Sequence, residues 1–180
     1  MSVTIITGRV WKFGDNINTD LMLPGDVHAG TEEEQAAAVF RANRPGWLKE
    51  MRRGDLIIGG RNYGTGSSRP AARSLRNIGI ACLIAESINS LFFRNCVNFG
   101  LVALECPGIS SAFEELQIAE VSLADFTVKN LATSAVLHAQ PVPAHLLDMM
   151  QNGGLYPLLE KQGYIAPKAK LAAAASRGST

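Results

Sequence analysis

Cysteine is scarce and unpatterned in this 180-residue chain. Cys82, Cys96 and Cys106 are an odd number with no C-x-x-C spacing, which speaks against a disulfide framework and against a ligand set for zinc or an iron–sulfur cluster. Two of them sit in apolar runs, where cysteine packs as a small hydrophobe, so buried and inert thiols are expected. Charge of either sign is never concentrated. Seventeen Lys and Arg against sixteen Asp and Glu leave a net charge of +1, and no basic run exceeds the pair Arg52-Arg53. Nothing therefore directs the chain to nucleic acid or to a membrane surface. No stretch reaches the roughly 18 apolar residues that a membrane span requires. The first ten residues also lack a basic start followed by a sustained apolar stretch, so a cytoplasmic protein is expected. No internal repeat is found.

What is present in quantity is glycine, 17 residues, and its densest cluster lies between Gly54 and Ile80. The segment reads as a strand (Asp55 to Gly59), a glycine-rich turn, and a helix opened by Pro70 and closed near Gly79. A turn in that place faces a helix N-terminus, where unpaired backbone N–H groups and the positive end of the helix dipole attract an anion. Gly64 and Gly66 let the backbone approach a ligand closely. Ser67, Ser68 and Arg69 add two hydroxyls and a guanidinium fork, the makings of a carboxylate or phosphate cradle.

Three other readings of the turn are weighed against this. A P-loop needs Gly-Lys-Ser/Thr, and no lysine occurs between Lys49 and Lys129. A dinucleotide fingerprint finds its first two glycines in Gly64 and Gly66 and an acid in Glu86, but Arg69 stands where the third glycine belongs. A plain strand-to-helix turn with a serine cap accounts for everything except Arg69.

The segment G-x-N-x-G-x-G-S-S-R, with G-D-N-I-N-T-D upstream (Gly14 to Asp20) and A-E-S-I-N-S-L-F-F-R-N-C-V-N-F-G-L downstream (Ala85 to Leu101), is similar to the small subunits of 3-isopropylmalate dehydratase, and more broadly to the swivelling domain of the aconitase superfamily. The three blocks occur in the family's order and, with the loop between them, cover roughly residues 8 to 160. The resemblance implies an α/β fold of the three-layer β/β/α swivel type. It also implies a hydro-lyase acting on a 2- or 3-hydroxy dicarboxylic acid, active only with a large subunit that holds a [4Fe-4S] cluster, and no cofactor on this chain. By the same resemblance Ser67 is the catalytic base, Ser68, Arg69 and Gly66 bind the substrate carboxylate, and Asp20, the acid of the T-D step, reaches the active site.

Two departures from the family pattern stand out. The loop that selects the substrate side chain in the family carries an aromatic-Leu-Arg-Gly stretch, whereas this chain offers Val27 and His28 within Asp26 to Gly30. After the cradle the family continues S-S-R-E-H-A, whereas this chain has Pro70-Ala71-Ala72. A related diacid hydratase of the dimethylmalate or citraconate type, or an anion-binding module without catalysis, therefore remain as alternatives.

Elsewhere, Val3 to Phe13 reads as a strand or strand pair, and Thr31-x-x-Glu34 as a capping box opening a helix through Phe40. Residues 80–85 read as a buried parallel strand, Ser87 as the cap of a helix carrying Leu91, Phe92 and Cys96, and Leu101 to Glu105 as a further strand. Arg94, Asn95 and Asn98 on that helix read as solvated or capping residues. Short alternating segments between Ile118 and Ala139 suggest antiparallel strands, and two helices follow Pro143 and Gly154. His138 and His145 have no neighbouring ligand residues and read as structural or solvated. Residues 1–166 are expected to form a single domain and 167–180 a mobile tail.

Overall fold

Both halves of the molecule are built on one strand, β1 (Ile5–Lys12), in a computed structural model that describes residues 5–66 and 69–166. It is followed by α1 (Thr19–Met22), a 3₁₀ turn (Gly25–Val27), α2 (Glu32–Ala37) and α3 (Trp47–Glu50). Next come β2 (Leu56–Gly59), α4 (Ala71–Ile78), β3 (Cys82–Ala85), α5 (Ser90–Phe99), β4 (Val102–Glu105) and α6 (Ile109–Ala112). Then follow β5 (Ile118–Ser122), β6 (Thr127–Asn130), β7 (Val136–His138), α7 (Ala144–Gln151) and α8 (Leu155–Lys161). The strand order is β4-β3-β2-β1-β5-β6-β7.

Val10 to Lys12 pair in parallel with Leu56 to Ile58, while Ile5 to Arg9 pair antiparallel with Ser122 to Ile118. One strand thus joins a parallel sheet to an antiparallel one. With the helices, among which α4 packs on α2 and α5, and α5 on α7, these two sheets give the mixed α/β architecture expected. Every residue of β2 and β3 is buried, as an interior parallel strand covered on both faces requires. Beside them Phe13 stacks on Phe40 at 4.1 Å, and Trp47 meets Trp11, Phe13 and Phe40 edge-on.

Local signals explain the boundaries. Both halves of the capping box form, Glu34 N–H to Thr31 Oγ1 and Thr31 N–H to Glu34 Oε2. The helix nevertheless ends at Ala37 rather than running through Phe40, because Phe40 turns to φ 54° and donates its N–H to Met22 O. That turn carries its ring into the aromatic cluster, so tertiary packing outweighs helix propagation. Pro70 is the residue before α4 rather than its first, and Gly79, at φ 98°, stops the helix as expected. Ser87 does not cap α5. Asn89 does, its Oδ1 accepting from Leu91 N–H, while Ser87 Oγ accepts from Asn62 N–H. The run Leu21-Met22-Leu23 belongs to a helical turn capped by Asn18. The stretches α3 and α6, four residues each, are not anticipated by the sequence pattern. The C-terminal stretch 167–180 lies outside the described residues.

Candidate active site

Three loops converge at the C-terminal ends of β1, β2 and β3. The middle one, Gly60 to Gly66, is hydrogen-bonded along both edges. On one side Gly60 N–H donates to Gly14 O, Asn16 N–H to Arg61 O, Gly64 N–H to Ile17 O and Thr19 N–H to Thr65 O, over 2.7 to 3.1 Å. Asp15 Oδ1 adds an acceptor for Arg61 N–H at 2.7 Å. On the other side Tyr63 N–H donates to Ser87 O at 3.0 Å and Asn89 N–H to Tyr63 O at 2.8 Å. At about 0.5–1.5 kcal/mol net per bond, this lacing makes the loop a rigid platform rather than a flexible tip. Gly64 is obligatory in it: φ is +82°, and a Cβ there would lie 2.2 Å from the Phe92 ring. The three sequence blocks thus become one structural unit.

Arg69 leaves this platform just ahead of α4. Its Nε donates to Asp20 Oδ1 at 2.9 Å; the arginine side chain is 21% exposed and the aspartate 64%. An ion pair so open to water contributes about 0–1 kcal/mol, so its consequence is orientation of the guanidinium plane rather than stability. Arg69 Nη2 lies 3.0 Å from where a Cβ on Gly25 would stand, so glycine there leaves it room. Gly66, at φ +81°, places the position of its missing Cβ 2.9 Å from Thr19 Oγ1. That hydroxyl is buried and has no partner among the described residues. Ser67 and Ser68 lie outside the described residues.

An open cavity of about 380 Å³ adjoins Arg69, lined by His28, Gln35, Arg73, Asn95 and Phe99 among others. His28 is exposed there. Val27 is half-buried at the end of the 3₁₀ turn, its carbonyl accepting from Gly30 N–H at 3.0 Å, and does not line the cavity. Asp26 is drawn away to Arg41 at 2.6 Å. Asn95, read from the sequence as solvated or capping, faces the same space as Arg69. Gln35, Arg73 and Thr19 were not singled out. Arg73, on α4, shares that cavity with Arg69, which stands ahead of the helix. A larger cleft, about 660 Å³, lies by Arg53, Arg76, Asn77 and Gly79 at the C-terminal end of α4. It is the wrong end of that helix dipole for an anion, and it includes none of the candidate residues.

Ala71, where the family pattern has histidine, is 1% exposed, so it is a packing position in this chain. All three cysteines are free and fully buried. Burial pushes the Cys82 and Cys96 thiols far above their ordinary range, and burial followed by the nearby Glu86 raises Cys106 to about 11. Each stays a neutral thiol near pH 7. Among the described residues no three His, Cys, Asp or Glu are grouped to hold a metal ion, and no helix is long and apolar enough to cross a membrane.

A sequence model of the Aconitase C-terminal domain matches residues 15–108, the segment holding all three loops. The isopropylmalate/citramalate isomerase small subunit of Methanocaldococcus jannaschii is 44% identical over 161 residues, covering 88% of this chain and 96% of that one. The 3-isopropylmalate dehydratase small subunit 1 of Methanopyrus kandleri is 40% identical over 161 residues, 88% of this chain and 95% of its own. Among solved structures, the crystal structure of 3-isopropylmalate dehydratase (leuD) from Methanocaldococcus jannaschii superposes with a TM-score of 0.82 at 28% identity, over 89% of this chain and 96% of that one.

Proposed function

The chain belongs to the Aconitase C-terminal domain family, among the small subunits of 3-isopropylmalate dehydratase, and on that basis we propose that it catalyses, with a large subunit, the isomerisation of 2- and 3-isopropylmalate by dehydration and rehydration. Residues 1–166 act as one swivel domain, in the cytoplasm, in a step of leucine biosynthesis. The observation that carries the assignment of the site is the meeting of the three family blocks around Arg69, which Asp20 orients at the start of α4.

In this reading Arg69 and the N–H groups at the start of α4 hold a substrate carboxylate, with Ser68 and Gly66 completing the cradle. Ser67 removes the proton on the carbon alpha to that carboxylate. The electron pair of the broken C–H bond forms the double bond as the hydroxyl on the adjacent carbon departs, and water returns in the opposite orientation. Serine is a weak base in water, and a positive field from Arg69 and the helix terminus would favour its alkoxide. The family resemblance puts a [4Fe-4S] cluster in the large subunit, where it would supply Lewis-acid assistance to the departing hydroxyl.

The loop Asp26 to Gly30 favours a second reading of the substrate. It lacks the aromatic-Leu-Arg-Gly stretch, and the Methanocaldococcus relative is named for citramalate as well as isopropylmalate. The assembled enzyme, prepared anaerobically, should be screened on C4 to C7 hydroxy-diacids by the ultraviolet absorbance of the unsaturated product. Isopropylmalate turning over fastest supports the first reading, and a shorter diacid leading by tenfold or more replaces it with a citraconate-type hydratase. Grafting the aromatic-Leu-Arg-Gly stretch into Asp26 to Gly30 should then reorder the substrates by about 1–3 kcal/mol. An unchanged order, with the fold intact, places specificity elsewhere.

A further inference from the structure

We infer that Gln35 is the positioning residue of the substrate-selecting loop, clasping it to α4 in register with the anion cradle. This rests on the reading above that residues 26–30 face the variable part of the substrate. Gln35 is 2% exposed, a buried amide with two donor hydrogens and one acceptor oxygen to satisfy. All are used across three segments: Nε2 donates to His28 O at 3.0 Å and to Gly30 O at 3.2 Å, and Oε1 accepts from Arg73 Nη2 at 2.9 Å.

The second half of the clasp is just as constrained. Arg73 lies on α4 one turn beyond Arg69, its other terminal nitrogen 3.4 Å from Glu32 Oε1 and its guanidinium 5.7 Å from the Phe99 ring centre. Its Nε is buried without a partner among the described residues, and Gln35, Glu32 and Phe99 hold the rest of the group. Gln35 itself sits in α2, whose first turn is fastened by the Thr31–Glu34 capping box. The loop carbonyls at 28 and 30 are thereby referred to the helix that begins two residues after Arg69. A substrate held by its carboxylate at Arg69 meets His28 at a distance that Gln35 sets. A buried amide satisfied on all sides specifies one loop position, because a shifted loop leaves polar groups unpaired.

Gln35→Glu tests this with little change of volume: it keeps an acceptor for Arg73 and loses both donors to the loop. Arg73→Met, at a half-buried position, breaks the clasp from the other side should the first variant fold poorly. In the isolated chain, hydrogen exchange at the His28 and Gly30 amides should accelerate about tenfold in either variant, with exchange in β2 and β3 unchanged. In the assembled enzyme the ratio of kcat/KM for isopropylmalate to that for citramalate should move about tenfold towards unity, carried by KM, with kcat at saturation within about threefold. Loop exchange that does not change overturns the clasp whatever the substrate. Faster loop exchange with an unchanged substrate ratio overturns its role in selection. Wild-type enzyme that turns over neither diacid points instead to a fault in the assigned substrate, and the exchange measurement still decides whether the clasp exists.

Discussion

Arg69 and Ser67 are neighbours in the chain, yet losing each should damage a different kinetic constant. A base acts only while the proton moves, so Ser67→Ala in the assembled enzyme should lower kcat by roughly 10²–10⁴-fold with little change in KM. In the proposed function Arg69 grips a carboxylate that is charged before and during the reaction. Arg69→Lys keeps the charge but loses the planar fork that Asp20 orients, and should raise KM more than it lowers kcat. Steady-state kinetics of the two variants separates these roles, and a Ser67→Ala enzyme with near-full turnover removes the serine from the chemistry. The turn that carries Gly64 and Arg69 between a strand and a helix could be placed from the sequence, because glycine and proline at an element boundary leave a local signature. Gln35, Arg73 and Thr19 could not, since each looks like an ordinary helical residue until the fold brings distant segments to it. Asn95, read as solvated or capping, lines the open cavity beside Arg69, and periodicity alone does not say which face of α5 adjoins it.

Helix stops and caps were foreseen where a local rule acts alone, as at Gly79 and in the Thr31–Glu34 box. They failed where packing intervened, as at Phe40, and where an element is a single turn too short to show a period, as in α3 and α6. Strand β2 shows how packing alters a boundary. Asp55, expected as its first residue, is instead buried just ahead of it, accepting from Arg9 at 2.7 Å, Trp11 Nε1 at 2.7 Å and Arg52 N–H at 2.8 Å. Burial by itself pushes the Asp55 carboxyl up, but these donors together outweigh it and hold the group below the ordinary carboxylate range. A carboxyl that ionises more readily folded than unfolded stabilises the fold above its unfolded pKa of about 4, and that contribution is lost as the pH falls through the lower folded value. Urea unfolding of Asp55→Asn should therefore show a smaller stability loss from pH 7 to pH 3 than the wild type. Asp55→Ala, which strands a half-buried Arg9, should cost about 3 kcal/mol at pH 7. A wild-type-like pH profile in Asp55→Asn would show that other carboxylates govern acid unfolding.

The whole chain has a core of its own, with β2 and β3 wholly buried and an aromatic cluster beside them, so it should fold without a partner. In the function proposed above, its loops supply an anion-holding edge and a base, and the large subunit completes the hydro-lyase. The family was readable from three blocks in family order, whereas the substrate was not, because the loop that would name it departs from the pattern. The decisive measurement is hydro-lyase turnover, followed by ultraviolet absorbance under anaerobic conditions, of the purified chain alone and of the same chain after addition of its large subunit with iron and sulfide. A folded but inactive chain that gains turnover on a hydroxy-diacid only when the large subunit is added is the result expected. Substantial turnover by the isolated, metal-free chain, or none in the complete assembly on any C4 to C7 hydroxy-diacid, would contradict it.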